Sequence, residues 1–126
     1  MIIDTDVLIW YLRGYEKAQK IINLNIPFKI SLITYLELVQ GMRDKRELRT
    51  LQKCLKQWSA DIIQINESVS IQAMFLIEDY YLSHSLEIAD AIIAATALGN
   101  DEILLTANEK HYKFIPNLKI QVFNIK

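Results

Sequence analysis

The sequence predicts an α/β fold: a mostly parallel sheet covered on both faces by helices, in a three-layer α/β/α sandwich. Three observations carry that expectation. Short apolar runs such as Met1-Ile2-Ile3 alternate along the chain with segments whose apolar residues recur every three or four positions. The short runs are continuously apolar, as befits strands buried on both faces. Strand and helix alternate throughout, and helical crossovers between strands make the strands parallel.

Residues 1–3 read as the first strand, too short for a helix and ended by Asp4. VLIWYLRG follows as a short helix with Thr5 or Asp6 as N-cap and Gly14 near its end. A second helix is expected at 15–24, before Pro27, and a strand begins in PFKISLI at 27–33. From about Leu32 the pattern turns helical, with Leu32, Leu36 and Val39 on one face and Gly41 as the stop.

Between Asp44 and Trp58, Leu48, Leu51, Leu55 and Trp58 form an apolar stripe spaced 3, 4 and 3. Arg46, Arg49, Lys53 and Lys56 repeat that spacing two residues earlier, which rotates them about 200° to the opposite face. IIQI (62–65) reads as a strand, and Asn66 as the cap of a helix to about Leu82. IADAIIAATALG (88–99) is an Ala-rich helix, apolar nearly all round and closed by Gly99. ILLT (103–106) is a buried strand, NEKHYKF a helical turn, and KIQVFNI (119–125) a last strand.

At 126 residues, 52% hydrophobic, with only 3 Gly and 2 Pro, the chain is expected to form one domain over residues 1–126 rather than a disordered segment. No apolar run is long enough to span a bilayer, and Asp4 and Asp6 interrupt the opening run where a signal peptide needs continuity. Cys54 stands alone, so no internal disulfide forms. His84 and His111 have no zinc-like spacing. These features point to a reduced, cytoplasmic protein with no membrane partner. The net charge is −1, yet residues 43–56 hold six of the fourteen Lys and Arg against two acids, so nucleic-acid contact has to be local.

Ligands of open α/β sheets bind beyond the carboxyl ends of the strands. Three acids are therefore candidates. Asp4 ends the first strand, Glu37 lies in a helix with no Lys or Arg between Lys29 and Arg43, and Asp90 sits among alanines. Asp90 also has a structural explanation as N-cap of a helix from Ala91, and no basic residue is placed in sequence to pair with it. If the three converge, two charges ~4 Å apart cost ~4 kcal/mol at an effective dielectric near 20. A divalent cation relieves that repulsion. All-oxygen donors favour Mg²⁺ or Mn²⁺ over zinc, and such an ion supports hydrolysis of a phosphodiester.

Four segments in order, DTDVLI, ITYLELVQG, IADAIIAATAL and LLTANEKHY, resemble the PIN-domain nucleases, most closely the VapC-type toxins of toxin–antitoxin pairs. The resemblance implies a Rossmann-like sandwich, Mg²⁺- or Mn²⁺-dependent endoribonuclease activity on RNA, a homodimer and a small cognate antitoxin. It makes Asp4, Glu37 and Asp90 the metal-binding acids and gives Thr106 the hydroxyl after the fourth strand. Asn108 stands where many members have a fourth Asp, which puts a second metal ion in question. Asp6 is expected as a cap or a neighbour of the ligands. Arg46, Arg49, Lys53 and Lys56 are candidates for tracking an RNA backbone. His84 and His111 are expected at the surface or beside the ligands, and Phe75, Tyr80 and Tyr81 in the core or a dimer contact.

Other classes fit less of the chain. A phosphorylation-dependent receiver needs an acceptor Asp ending the third strand, where this sequence has Asn66-Glu67. A haloacid dehalogenase-like phosphatase suits the opening DTD but leaves Glu37 and Asp90 unexplained. A catalytically silent PIN binding module remains the third alternative, because of Asn108.

Overall fold

Ile2 and Ile3 leave the first strand in opposite directions, and the two halves of the core divide behind them. A computed structural model describes all 126 residues. Its elements are β1 (Ile2–Ile3), α1 (Thr5–Leu12), α2 (Glu16–Leu24), β2 (Lys29–Ser31), α3 (Leu32–Gln40), α4 (Lys45–Gln57), β3 (Asp61–Ile63), α5 (Glu67–His84), α6 (Ile88–Gly99), β4 (Leu104–Thr106), a 3₁₀ turn (Glu109–His111) and β5 (Ile120–Val122). All pairings are parallel, in the order β3-β2-β1-β4-β5. Ile2 lies opposite Leu104 and Ile3 opposite Leu105.

Ile2 and Leu104 pack with Val69, Leu76, Ile93 and the alanines of α6 on one face. Ile3 and Leu105 pack with Leu8, Ile22, Ile30, Leu51 and Trp58 on the other. The period-2 alternation of a strand thus splits the core into two layers around the sheet. Ala91, Ala94, Ala95 and Ala97 are all fully buried, and their small size lets α6 lie close against its neighbours.

The amphipathic reading of 44–58 holds closely. Asp44 caps α4 by accepting from Glu47 N, Trp58 closes it, Leu51 and Trp58 are buried, and the four basic residues are exposed. Asn66 caps α5 through Val69 N, as its position implied. Other boundaries shift. The cap of α1 is Asp4, whose carboxylate accepts from Thr5 N, rather than Thr5 or Asp6. α6 begins at Ile88 with Glu87 before it, so Asp90 lies in the first turn and is not a cap. β3 spans 61–63 rather than 62–65, and β5 is a three-residue core of 119–125.

Leu36 does not share a buried face with Leu32 and Val39. It is exposed, and α3 turns Thr34 and Leu38 inward instead, Thr34 meeting the Thr5 hydroxyl at 3.0 Å. Phe75 and Tyr81 are exposed on α5 and so are not core, whereas Tyr80 is half-buried against Phe114. His84 stacks on Phe114, with ring centroids 4.1 Å apart.

Candidate active site

The chain leaves β1 toward β2 on one side, while β4 pairs on the other, so a crevice opens beyond the carboxyl ends of β1 and β4. Asp4 follows β1 there and Thr106 ends β4, joined by Asp4 N donating to Leu105 O at 2.9 Å. Asp4 is 5% exposed. Its Oδ1 accepts from Thr5 N at 2.8 Å and its Oδ2 from the Thr106 hydroxyl at 2.7 Å. Thr106 spends its proton on Asp4 and accepts from Asn108 N at 3.0 Å.

Asp6, two residues further on, points at the same crevice. Its Oδ2 accepts from Asn108 Nδ2 at 2.7 Å and from Ala107 N at 3.2 Å. Its Oδ1 is buried with no hydrogen-bond partner. Burial, and then the charge of Asp6, push the Asp4 carboxyl up to about 7. Burial pushes Asp6 up to about 6 against the opposing backbone N–H groups of Val7 and Ala107, and Asp90 adds to the rise. Carboxylates that repel each other in a low-dielectric site hold protons to higher pH.

Asp90 completes the group from the first turn of α6. The Tyr112 hydroxyl donates to its Oδ1 at 3.1 Å, and His111 Nδ1 lies 3.2 Å from its Oδ2. Burial raises the Asp90 carboxyl, while His111 and Tyr112 oppose the rise. The missing partner of Asp90 is thus supplied from more than twenty residues away.

Glu37 stands one link apart. The Thr5 hydroxyl lies 2.7 Å from Glu37 Oε1 and 3.0 Å from Thr34 Oγ1. Thr5 has one proton to give, so with that proton on Glu37 the buried Thr34 is the donor in the second contact. Thr5 therefore serves Asp4 through its N–H and Glu37 through its hydroxyl. No three acidic, His or Cys side chains form a preformed metal cage, so neither Asp4, Glu37 and Asp90 nor Asp4, Asp6 and Asp90 stand as a ready ligand set, and a cation would have to draw them together.

The PIN domain family model matches residues 1–115. The chain belongs to the PIN-domain family. It is 31% identical over 125 residues to Ribonuclease VapC10 of Mycobacterium tuberculosis, an alignment covering 94% of this chain and 90% of that protein. Among solved structures it resembles a toxin–antitoxin complex from Klebsiella pneumoniae at 27% identity and TM-score 0.79, covering 93% of each chain. The fold is also that of VapBC from Salmonella typhimurium, at 20% identity and TM-score 0.84, covering 97% and 96%. Membership sets aside the receiver and phosphatase alternatives; consistently, the one acid of β3, Asp61, lies at the start of that strand.

The residues of this PIN domain fit a hard divalent cation. Three aspartates share one crevice with no Lys or Arg paired to any of them, and the buried Asp6 Oδ1 lacks any donor. An oxygen-only donor set of that kind is what Mg²⁺ or Mn²⁺ takes. Sequence reasoning placed Asp6 at the margin and did not connect His111 or Tyr112 with Asp90. The available signal was NEKHY itself, a polar turn directly after a buried strand whose end faces the crevice.

Proposed function

We propose that this PIN domain is a Mg²⁺- or Mn²⁺-dependent endoribonuclease and the toxin of a type II, VapBC-like pair. The observation that carries this reading is the gathering of Asp4, Asp6 and Asp90 at the switch point of the sheet, with Asp4 and Asp6 both raised by burial. Asp4 and Asp90 would hold the ion, and Glu37, reached through Thr5, would join them from α3. When bound, the ion would activate a water for attack and offset charge on the phosphate.

The chain's own groups do the rest. Thr106 and Thr5 N fix both oxygens of Asp4, so its orientation is set before any substrate arrives. Asp6 Oδ1, buried and without a donor, is the acceptor that a proton or a cation would satisfy. Asn108, itself exposed, holds Asp6 Oδ2 from the rim of the crevice. Asn108 adds no charge, so the crevice has one fewer acid with which to hold a second cation.

The exposed stripe of Arg46, Arg49, Lys53 and Lys56 would follow an RNA backbone, since none of the four is held in an ion pair. A groove between α1, α3 and α4 has Ile9, Leu12 and Met42 in its walls and mixed charge at its rim, with Arg13 and Arg46 beside Glu37, Asp44 and the Arg43–Glu47 pair, and would take an amphipathic antitoxin segment. Homodimerisation through the exposed apolar side chains of α5 and a cytoplasmic location complete the reading.

The test is cleavage of a single-stranded or looped RNA by the purified chain. Activity should require Mg²⁺ or Mn²⁺, disappear on chelation, and fall by at least about 100-fold in Asp4→Asn and Asp90→Asn. Equal cleavage by wild type and both variants would sink the assignment. RNA or antitoxin binding without any cleavage would instead favour a silent binding module.

A further inference from the structure

A single stretch of chain, residues 106–112, presents a hydrogen-bonding partner to every aspartate of the crevice. Thr106 reaches Asp4, Asn108 reaches Asp6, and His111 and Tyr112 reach Asp90, with the Tyr112 hydroxyl close enough to Asp4 to lower that carboxyl as well. The stretch is anchored at both ends. Thr106 belongs to β4, paired to β1 and β5, and the Tyr112 ring is fully buried in the α5–α6 half of the core. Between them the 3₁₀ turn is closed by His111 N donating to Asn108 O and Tyr112 N to Glu109 O, each at 3.0 Å.

We propose that Tyr112 and His111 are positioning residues that lock the Asp90 carboxylate, one through each oxygen, in the orientation in which it meets a divalent cation. Asp90 needs such a device more than Asp4 does. Asp4 is pinned by the backbone of the next residue and by a strand hydroxyl, whereas Asp90 projects from the first turn of a helix and is half-buried. With Oδ1 held by Tyr112 and Oδ2 by His111, rotation about the carboxylate bond breaks both contacts together. Each oxygen keeps a second lone pair for the ion. The His111 tautomer is set by this role: Nδ1 carries the proton toward Asp90. Outer partners of metal ligands act in this way, and losing one typically costs 10–100-fold in metal affinity.

The proposal rests on the divalent-cation reading above, and one measurement separates the two. Mn²⁺ binding to the purified protein without RNA is followed by electron paramagnetic resonance of the free ion, alongside thermal melting of the metal-free forms. Tyr112→Phe keeps the buried ring and removes only the hydroxyl. It should raise the Mn²⁺ dissociation constant by about tenfold. His111→Ala should do the same at the surface, where folding is not at risk, and His111→Asn, whose amide can stand in for Nδ1, should restore most of the affinity. In cleavage assays the Mn²⁺ requirement should rise by a like factor, with kcat at saturating Mn²⁺ within about threefold of wild type. Wild-type binding that is lost in Asp90→Asn but unchanged within twofold in both Tyr112→Phe and His111→Ala would overturn the positioning role alone. If wild type itself takes up no Mn²⁺, the metal reading fails and the proposal falls with it.

Discussion

Asn108 Nδ2 donates to Asp6 Oδ2 at 2.7 Å, so a neutral donor faces an acid that also accepts from Ala107 N. Replacing it by Asp exchanges that donor for a second carboxylate against Asp6. Asn108→Asp should lower the melting temperature of the metal-free protein at pH 7.5, and adding Mn²⁺ should raise it by more than in wild type. Differential scanning fluorimetry with and without Mn²⁺ reads both effects. Identical metal-induced shifts in the two proteins would show that the position takes no part in binding.

The proton balance of Asp4 sets the pH dependence of stability. Its carboxyl rises from 3.8 to about 7, and that of Asp6 to about 6. Between those limits the folded protein binds more protons than the unfolded chain, so stability falls as pH rises from about 4 to 7. From pH 5 upward Asp4 spans about two pKa units and Asp6 about one, so at about 1.4 kcal/mol per unit the sum is about 4 kcal/mol, and removing the mutual repulsion counted in both acids leaves about 2–3 kcal/mol. The metal-free protein should therefore melt roughly 5–10 °C lower at pH 7.5 than at pH 5. Divalent cation should flatten the slope, because it takes the place of the protons. A melting temperature that instead climbs across this range without metal would contradict the burial argument.

Much of this architecture is legible in the sequence, for reasons that differ by element. The α4 stripe and its Asp44 cap, and the Asn66 cap of α5, depend only on local periodicity and on one side chain reaching one backbone N–H. Asp90 was harder. Its helix begins earlier than a cap rule suggests, because Glu87 precedes the first turn without a side-chain cap bond. Its partners His111 and Tyr112 arrive by tertiary packing of a turn after β4, which no spacing encodes. Glu37 shows the same limit: its link to the crevice runs through Thr5, 32 positions away, and no spacing encodes that contact.

The Thr106 hydroxyl gives a sharper test of how Asp4 is kept reactive. Its 2.7 Å bond lowers the Asp4 carboxyl against the combined push of burial and Asp6. Thr106→Val preserves shape and removes the donor. The acid limb of the cleavage pH profile should move upward by about one unit, equivalent to about 1.4 kcal/mol. Activity well above that limb should recover to within a few-fold of wild type. A uniform loss at every pH would mean that the hydroxyl holds the site's shape rather than the charge of Asp4.

The basic face of α4 yields a prediction independent of the acids. Arg46, Arg49, Lys53 and Lys56 are exposed on the side opposite Leu51 and Trp58, and none forms an ion pair. If they meet RNA phosphates, each contact releases counterions, and the slope of log K against log salt is about −0.7 per contact on a single strand. Arg49→Ala with Lys53→Ala should then flatten that slope by about 1.4 and weaken RNA binding most at low salt. Mn²⁺ affinity and the melting temperature should stay where they are, since both side chains are solvated and neither is bonded to an aspartate. Filter binding across a salt series checks the slope. An unchanged slope would move the RNA path off α4, and Arg13 and Arg43, beside Glu37 in the neighbouring groove, would be the next residues to remove.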